Sequence, residues 1–81
     1  MNLARFPVLN RRFGQVIRQL RDERRWSQER LAEAANLNRS YLGEIERGDA
    51  TPSLTTLDKL AQALQVKIST ILERCEELPT P

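Results

Sequence analysis

Between Asn38 and Gly48 the chain reads NRSYLGEIERG, and its polar and apolar residues separate onto two faces if the segment is helical. Leu42 and Ile45 form an i, i+3 pair turned inward, while Arg39, Ser40, Gly43, Glu44 and Arg47 stay off that face. A polar outer face with a cation near the helix start could read the edges of nucleic-acid bases. The Arg39 fork matches the O6 and N7 acceptors of guanine, a pairing worth about 1–3 kcal/mol of discrimination. Arg39 could instead hold a phosphate, which gives affinity without sequence choice; base contact is the favoured reading. Glu44, one turn beyond Ser40, could accept from a cytosine N4–H, though any nearby phosphate would repel it. Gly43 offers no side chain and would allow close approach to a groove. Tyr41 and Arg47 are better placed for phosphate than for bases, and Asn38 combines a helix cap with phosphate contact.

Other chemistries are poorly supplied. The chain has no His to act as a general base, no glycine-rich phosphate loop, and one cysteine, Cys75, without a His partner. The same inventory removes the usual zinc ligand sets, so neither a metal nor a cofactor nor an enzymatic activity is expected. Cys75 falls on an apolar helical stripe and reads as a small hydrophobe.

The polar face needs a scaffold, and the surrounding sequence supplies one. From Trp26 to Gly48, WSQERLAEAANLNRSYLGEIERG contains two short helical patterns broken at Asn36–Leu37–Asn38. Ser27 is a good N-cap, Leu31, Ala32 and Ala35 make a narrow apolar face, and Asn36 suits the left-handed position that ends a helix. Asn38 caps the next helix and Gly48 stops it. Two short helices joined by a tight turn, residues 27–47, form a helix-turn-helix whose second helix can enter the major groove of DNA. At the start of its first helix, outward backbone N–H groups offer a phosphate site to which the Gln28 amide can add a bond.

Upstream, residues 1–9 read as an N-terminal arm or an extra turn, since Pro7 breaks a helix or sits in its first turn. Phe13, Val16, Ile17 and Leu20 then recur at i, i+3, i+4, i+7 and predict a helix over Asn10–Arg24, in which Gly14 leaves room for close packing. Trp26 is expected to pack over the end of that helix. Downstream, Ser53 caps a helix carrying Leu54, Leu57, Leu60, Ala61 and Leu64, and a last helix runs from Ile68 to about Glu76. Pro79 and Pro81 predict a frayed tail. No β pattern or internal repeat is visible, so the expectation is an all-α, five-helix single domain over residues 1–81.

Composition, 40% hydrophobic and 30% charged over 81 residues, fits one folded domain with one modest core. No apolar run approaches the roughly 20 residues that cross a bilayer, and MNLARFPVLNRRF lacks the apolar segment of a signal peptide. With one cysteine, no intrachain disulfide can form, so the cytoplasm is the expected compartment. Net charge is +2 but uneven: residues 1–48 carry ten Arg against six acids, and residues 49–81 carry three cations against five acids. Such asymmetry fits a half that faces a polyanion, and is equally compatible with ordinary solvated helix surface. Arg in place of Lys favours phosphate contact, because the guanidinium fork matches phosphate oxygens.

SQERLA followed by LNRSYLGEIERG, with Arg21 upstream and PSLTTLDKLAQALQV downstream, resembles the Xre/Cro family of helix-turn-helix regulators over about Phe13–Leu72. The small size is also similar to the controller proteins of restriction–modification operons. The resemblance implies base readers at Arg39 and Ser40, and a Gln28 that contacts phosphate while bracing the recognition helix. It further implies a partly buried ion pair between Arg21 and Glu46, which would lock the helix-turn-helix to the first helix without touching DNA.

Leu57, Leu60, Leu64 and Leu72 are expected to close the core. That leaves Ile68, Ile71, Cys75 and Leu78, within residues 66–78, as an exposed apolar stripe and hence a partner surface. A second copy is the expected partner, because two-fold dimers mirror palindromic operators. The reading is therefore a homodimeric, sequence-specific regulator on double-stranded DNA, autoregulatory in the controller manner, with RNA polymerase as a further partner where the dimer meets it. The alternative is an antitoxin-like interaction module whose C-terminal helices bind another protein. A terminal helix folded back on its own core would leave neither surface.

Overall fold

A computed structural model describes the backbone of residues 5–78 and the side chains from Val8 onward. Its five helices are α1 (Arg5–Glu23), α2 (Gln28–Ala34), α3 (Arg39–Arg47), α4 (Leu54–Leu64) and α5 (Ile68–Glu77), with no strand among the described residues. The first helix starts earlier than expected. Residues 5–9, read from sequence as an arm or an extra turn, continue α1, because Pro7 falls in the first turn, where a missing N–H leaves no intrahelical bond unmade. The rest of that arm, residues 1–4, and the tail at 79–81 lie outside the described residues.

One stop recurs at all four junctions between helices. Arg25, Asn36, Gly48 and Gln65 adopt the left-handed conformation, with φ of 56°, 55°, 81° and 58°. After each, an N–H reaches back five residues to a helix carbonyl: Trp26 to Arg21, Leu37 to Ala32, Asp49 to Glu44, and Val66 to Ala61, at 2.8–3.1 Å. This paired closure satisfies carbonyls that the helix end would leave orphaned. Three of the starts are capped by side chains, and that of α5, at Lys67, is not. The side chains of Ser27, Asn38 and Ser53 accept backbone N–H groups from the first turns of α2, α3 and α4.

The core is a single cluster. Phe13, Val16, Ile17 and Leu20 of α1 meet Leu31, Ala32, Leu42, Ile45, Leu57, Leu60, Leu64, Ile71 and Cys75. Gly14 is where α1 crosses the end of α3. A Cβ there would stand 2.3 Å from the Ile45 carbonyl oxygen and 2.6 Å from that of Glu46. Side chains tie the periphery: Asn10 donates to Thr51 Oγ1 at 2.8 Å, Arg24 donates to the Leu64 carbonyl, and Arg74 reaches Glu23 at 2.9 Å.

The last helix is rotated from its expected setting. Ile71 and Cys75 are fully buried in the protomer, whereas Leu72 is 44% exposed and Ile68 37%. The four residues form two rows, Ile71–Cys75 and Ile68–Leu72. Docking of α5 against α1 turns the first row inward, so the exposed stripe read from sequence loses its two middle members, and Leu72 does not close the core. Leu78 is half-buried against the core.

Candidate nucleic-acid interface

The presentation of α3 begins with Asn38. Its Oδ1 accepts from Ser40 N at 2.8 Å and from Tyr41 N at 3.4 Å, which fixes the first turn and projects Arg39 and Ser40 outward. Arg39, Ser40, Glu44 and Arg47 are exposed, Tyr41 is half-buried against the core, and Leu42 and Ile45 are buried beneath. One helix therefore displays a cation, a hydroxyl and a carboxylate on a single face.

Gly43 belongs elsewhere. It is buried, and a Cβ would stand 3.2 Å from Arg47 Nη1 and 3.9 Å from Gln28 Oε1. Lacking a side chain, it makes room for those two groups in the crease between α2 and α3.

Behind the face lies a charged brace. Arg21 Nε donates to Glu46 Oε2 at 2.8 Å, Nη2 to Oε1 at 3.0 Å, and Nη1 to the Trp26 carbonyl at 2.8 Å. The two side chains are 12% and 4% exposed. The Arg21 guanidinium is held above its ordinary value, first by its hydrogen bond to Glu46 and against the opposing pull of burial. Such a bidentate, largely desolvated pair has a strong directional preference. Gln28 Nε2 donates to the same Glu46 Oε1 at 3.0 Å. An amide nitrogen carries two hydrogens, so Gln28 can brace α3 with one and offer the other to a phosphate oxygen at the start of α2. Trp26 half-buries over the end of α1, with the Arg30 guanidinium 5.0 Å from its ring centre.

The surface cations have neighbours that the sequence did not announce. Arg47 Nε donates to Asp49 Oδ2 at 3.1 Å, and Arg39 Nε lies 3.8 Å from Glu29 Oε1 on α2. Nothing in the residue types marked Glu29 or Asp49; their positions follow from how the two helices and the next loop fold together. Leu9, Phe13, Leu54 and Leu72, from α1, α4 and α5, line a shallow apolar cleft of about 150 Å³, with Leu54 82% exposed at its rim. Among the described residues, no helix is long and apolar enough to cross a membrane, and no group of three or more His, Cys, Asp or Glu could hold a metal ion.

Comparison with known proteins agrees with this geometry. The family model described as "Helix-turn-helix" matches residues 17–71. The immunity repressor protein of Bacillus phage phi105 is 51% identical over 59 residues, covering 73% of this chain and 41% of the repressor. The regulator SutR of Escherichia coli is 42% identical over 71 residues, covering 88% of this chain and 36% of SutR, so this chain spans less than half the length of either. The control protein C.BamHI of Bacillus amyloliquefaciens is 40% identical over 62 residues, which cover 75% of this chain and 76% of C.BamHI. In three dimensions, the restriction–modification controller protein C.AhdI of Aeromonas hydrophila superposes with a TM-score of 0.75 at 42% identity, covering 76% of this chain and 94% of C.AhdI. The controller C.Esp1396I, solved as a tetramer on its natural 35-base-pair operator, superposes with a TM-score of 0.78 at 29% identity, over 85% of this chain and 91% of that one. With two capped helices set at a tight turn and matched across most of its length, the chain belongs to the Xre/Cro type of the helix-turn-helix family.

Proposed function

We propose that this protein is a sequence-specific transcriptional regulator of the controller type, binding a palindromic double-stranded operator as a homodimer in the cytoplasm. The observation that carries the reading is the outer face of α3. Its exposed Arg39, Ser40 and Glu44 start from an Asn38 cap and are braced from behind by Arg21, Glu46 and Gln28. Recognition helices of this motif read base edges with their N-terminal residues, and rigid positioning is what makes such readout selective. Arg39 is the principal base reader; Ser40 and Glu44 contribute on the same face. Gln28, Asn38, Tyr41 and Arg47 serve the flanking phosphates, Arg47 by exchanging Asp49 for a phosphate oxygen.

The dimer face is the outer row of α5, Ile68 and Leu72, extended by Leu54 and with Leu78 at its margin. Ile71 and Cys75 support it from inside the protomer. An exposed apolar ridge next to an apolar cleft suits a self-complementary contact. A two-fold axis there would set two α3 helices about one DNA turn apart, roughly 34–36 Å. The relatives named as control proteins support action at the protein's own promoter, with contact to RNA polymerase deciding activation or repression.

Selection of bound duplexes from a randomised pool tests this reading. The expected product is an inverted repeat with half-sites one helical turn apart, and the same repeat should occur upstream of the protein's own gene. A pool that emerges unenriched contradicts sequence-specific binding; an enriched single half-site contradicts the dimer.

A further inference from the structure

Glu29 stands in an unexpected place for a carboxylate, on the first turn of α2 and on the side of the crease that α3 turns outward. Its Oε1 lies 3.8 Å from Arg39 Nε, and both side chains are well exposed. This is the ion pair that Arg39 makes among the described residues; its closest approach is to Nε and is longer than a hydrogen bond, so the contact is one of charge. The two terminal nitrogens, Nη1 and Nη2, are left for a ligand, and together they match the paired O6 and N7 acceptors of guanine. We infer that Glu29 is a specificity-determining residue: it holds Arg39 by its Nε edge so that the terminal fork faces a guanine, and it penalises every competing contact with phosphate. The inference rests on the reading of Arg39 as a base reader.

Two physical effects act in the same direction. A free Arg side chain loses rotamer freedom when it is fixed in a groove, and a carboxylate that restrains it beforehand reduces that loss. A negative charge beside Arg39 also repels any phosphate that would take its fork, which weakens the phosphate-held mode open to mismatched duplexes and not the guanine-held one. The first effect favours the matched site and the second disfavours mismatched ones. As a stabiliser of the fold, an exposed pair at this distance is nearly negligible, so selection of DNA is where its influence is felt.

The test uses four proteins: wild type, Glu29→Gln, Arg39→Ala and the double variant. Each is titrated against the selected duplex and against the same duplex with the G·C pairs of one half-site replaced in turn. Thermal unfolding is expected to be unchanged in all four. Glu29→Gln should lower the preference for the matched duplex about three- to fivefold, the scale of an exposed ion pair. The loss should concentrate at the G·C pair whose replacement Arg39→Ala no longer detects. In the Arg39→Ala background, Glu29→Gln should leave the preference where it was. The inference is overturned if Glu29→Gln changes affinity for matched and mismatched duplexes by one common factor, or if it lowers the preference equally with and without Arg39. If Arg39→Ala itself leaves the preference intact, base reading by Arg39 is the part that fails, and that outcome is visible before Glu29 is changed.

Discussion

Arg21 gives three of its donors to fixed acceptors, two on Glu46 and one on the Trp26 carbonyl, and so joins α1, the turn before α2, and α3 in a single contact. Replacing Arg21 with Ala leaves a carboxylate that is only 4% exposed with Gln28 as its remaining side-chain donor. Breaking such a pair from one side typically costs about 3–5 kcal/mol, a large share of the roughly 4–12 kcal/mol available to a domain of this size. Urea titration of Arg21→Ala should show that loss, with DNA binding falling because the protein unfolds; a change below about 1 kcal/mol would contradict a buried brace. Cys75 poses a milder case. Burial pushes its thiol above the ordinary value, against a weaker opposing pull from Arg12. The unfolded chain therefore ionises first as pH rises. Stability from the buried thiol is intact near neutrality and declines as pH rises through the ordinary thiol range of about 8–9 and on toward the raised folded value. The urea midpoint of wild type should fall more steeply across that window than that of Cys75→Ala, and parallel slopes would contradict the assignment.

At the scale of elements, the crossing of α1 over the end of α3 decides how the reading face is held. Helix propensity alone predicts that Gly14→Ala gains about 1 kcal/mol. The carbonyl oxygens of Ile45 and Glu46, 2.3 and 2.6 Å from the added Cβ, belong to backbone that cannot swing aside. Overpacking of this kind costs about 1–3 kcal/mol and should outweigh the propensity gain. Gly14→Ala is thus expected to destabilise in urea and to weaken DNA binding even where it remains folded, because α3 must shift; a stabilised variant would contradict the close crossing. The same scale shows what could be read in advance. Asn36 and Gly48 announce their turns, being residue types that tolerate left-handed backbone, whereas Arg25 and Gln65 adopt the same conformation without any such mark. The start of α1 was ambiguous because Pro7 suits both an arm and a first turn. The rotation of α5 was hidden because apolar spacing defines a stripe, and only the docking of α5 on α1 selects which row of it is buried.

For the whole molecule, the question is what the exposed apolar row does. Ile68, Leu72 and Leu54 form no part of the buried cluster, although they lie beside it. Ile68→Glu combined with Leu72→Glu should give a folded monomer by light scattering, with unchanged helicity and a marked loss of affinity for the two-half-site operator. A pair of changes that leaves a dimer intact would move the interface elsewhere, and a wild-type protein already monomeric at high concentration would remove it. At this scale the bundle and its reading face were legible because helical spacing and caps are local signals. The ion pair between Glu29 and Arg39 and the bond from Asn10 to Thr51 were not, since they join residues that only the finished fold brings together.

Fluorescence anisotropy of wild type and Arg39→Ala on the selected operator and on a scrambled duplex, at matched salt, tests the central claim that α3 reads sequence through its first turn. Wild type should prefer the operator by about 10³-fold or more. Arg39→Ala should lose about ten- to a hundredfold of that preference, the range of one bidentate base contact, while unfolding at the same temperature. Equal binding of both duplexes by wild type, governed by salt alone, would contradict it.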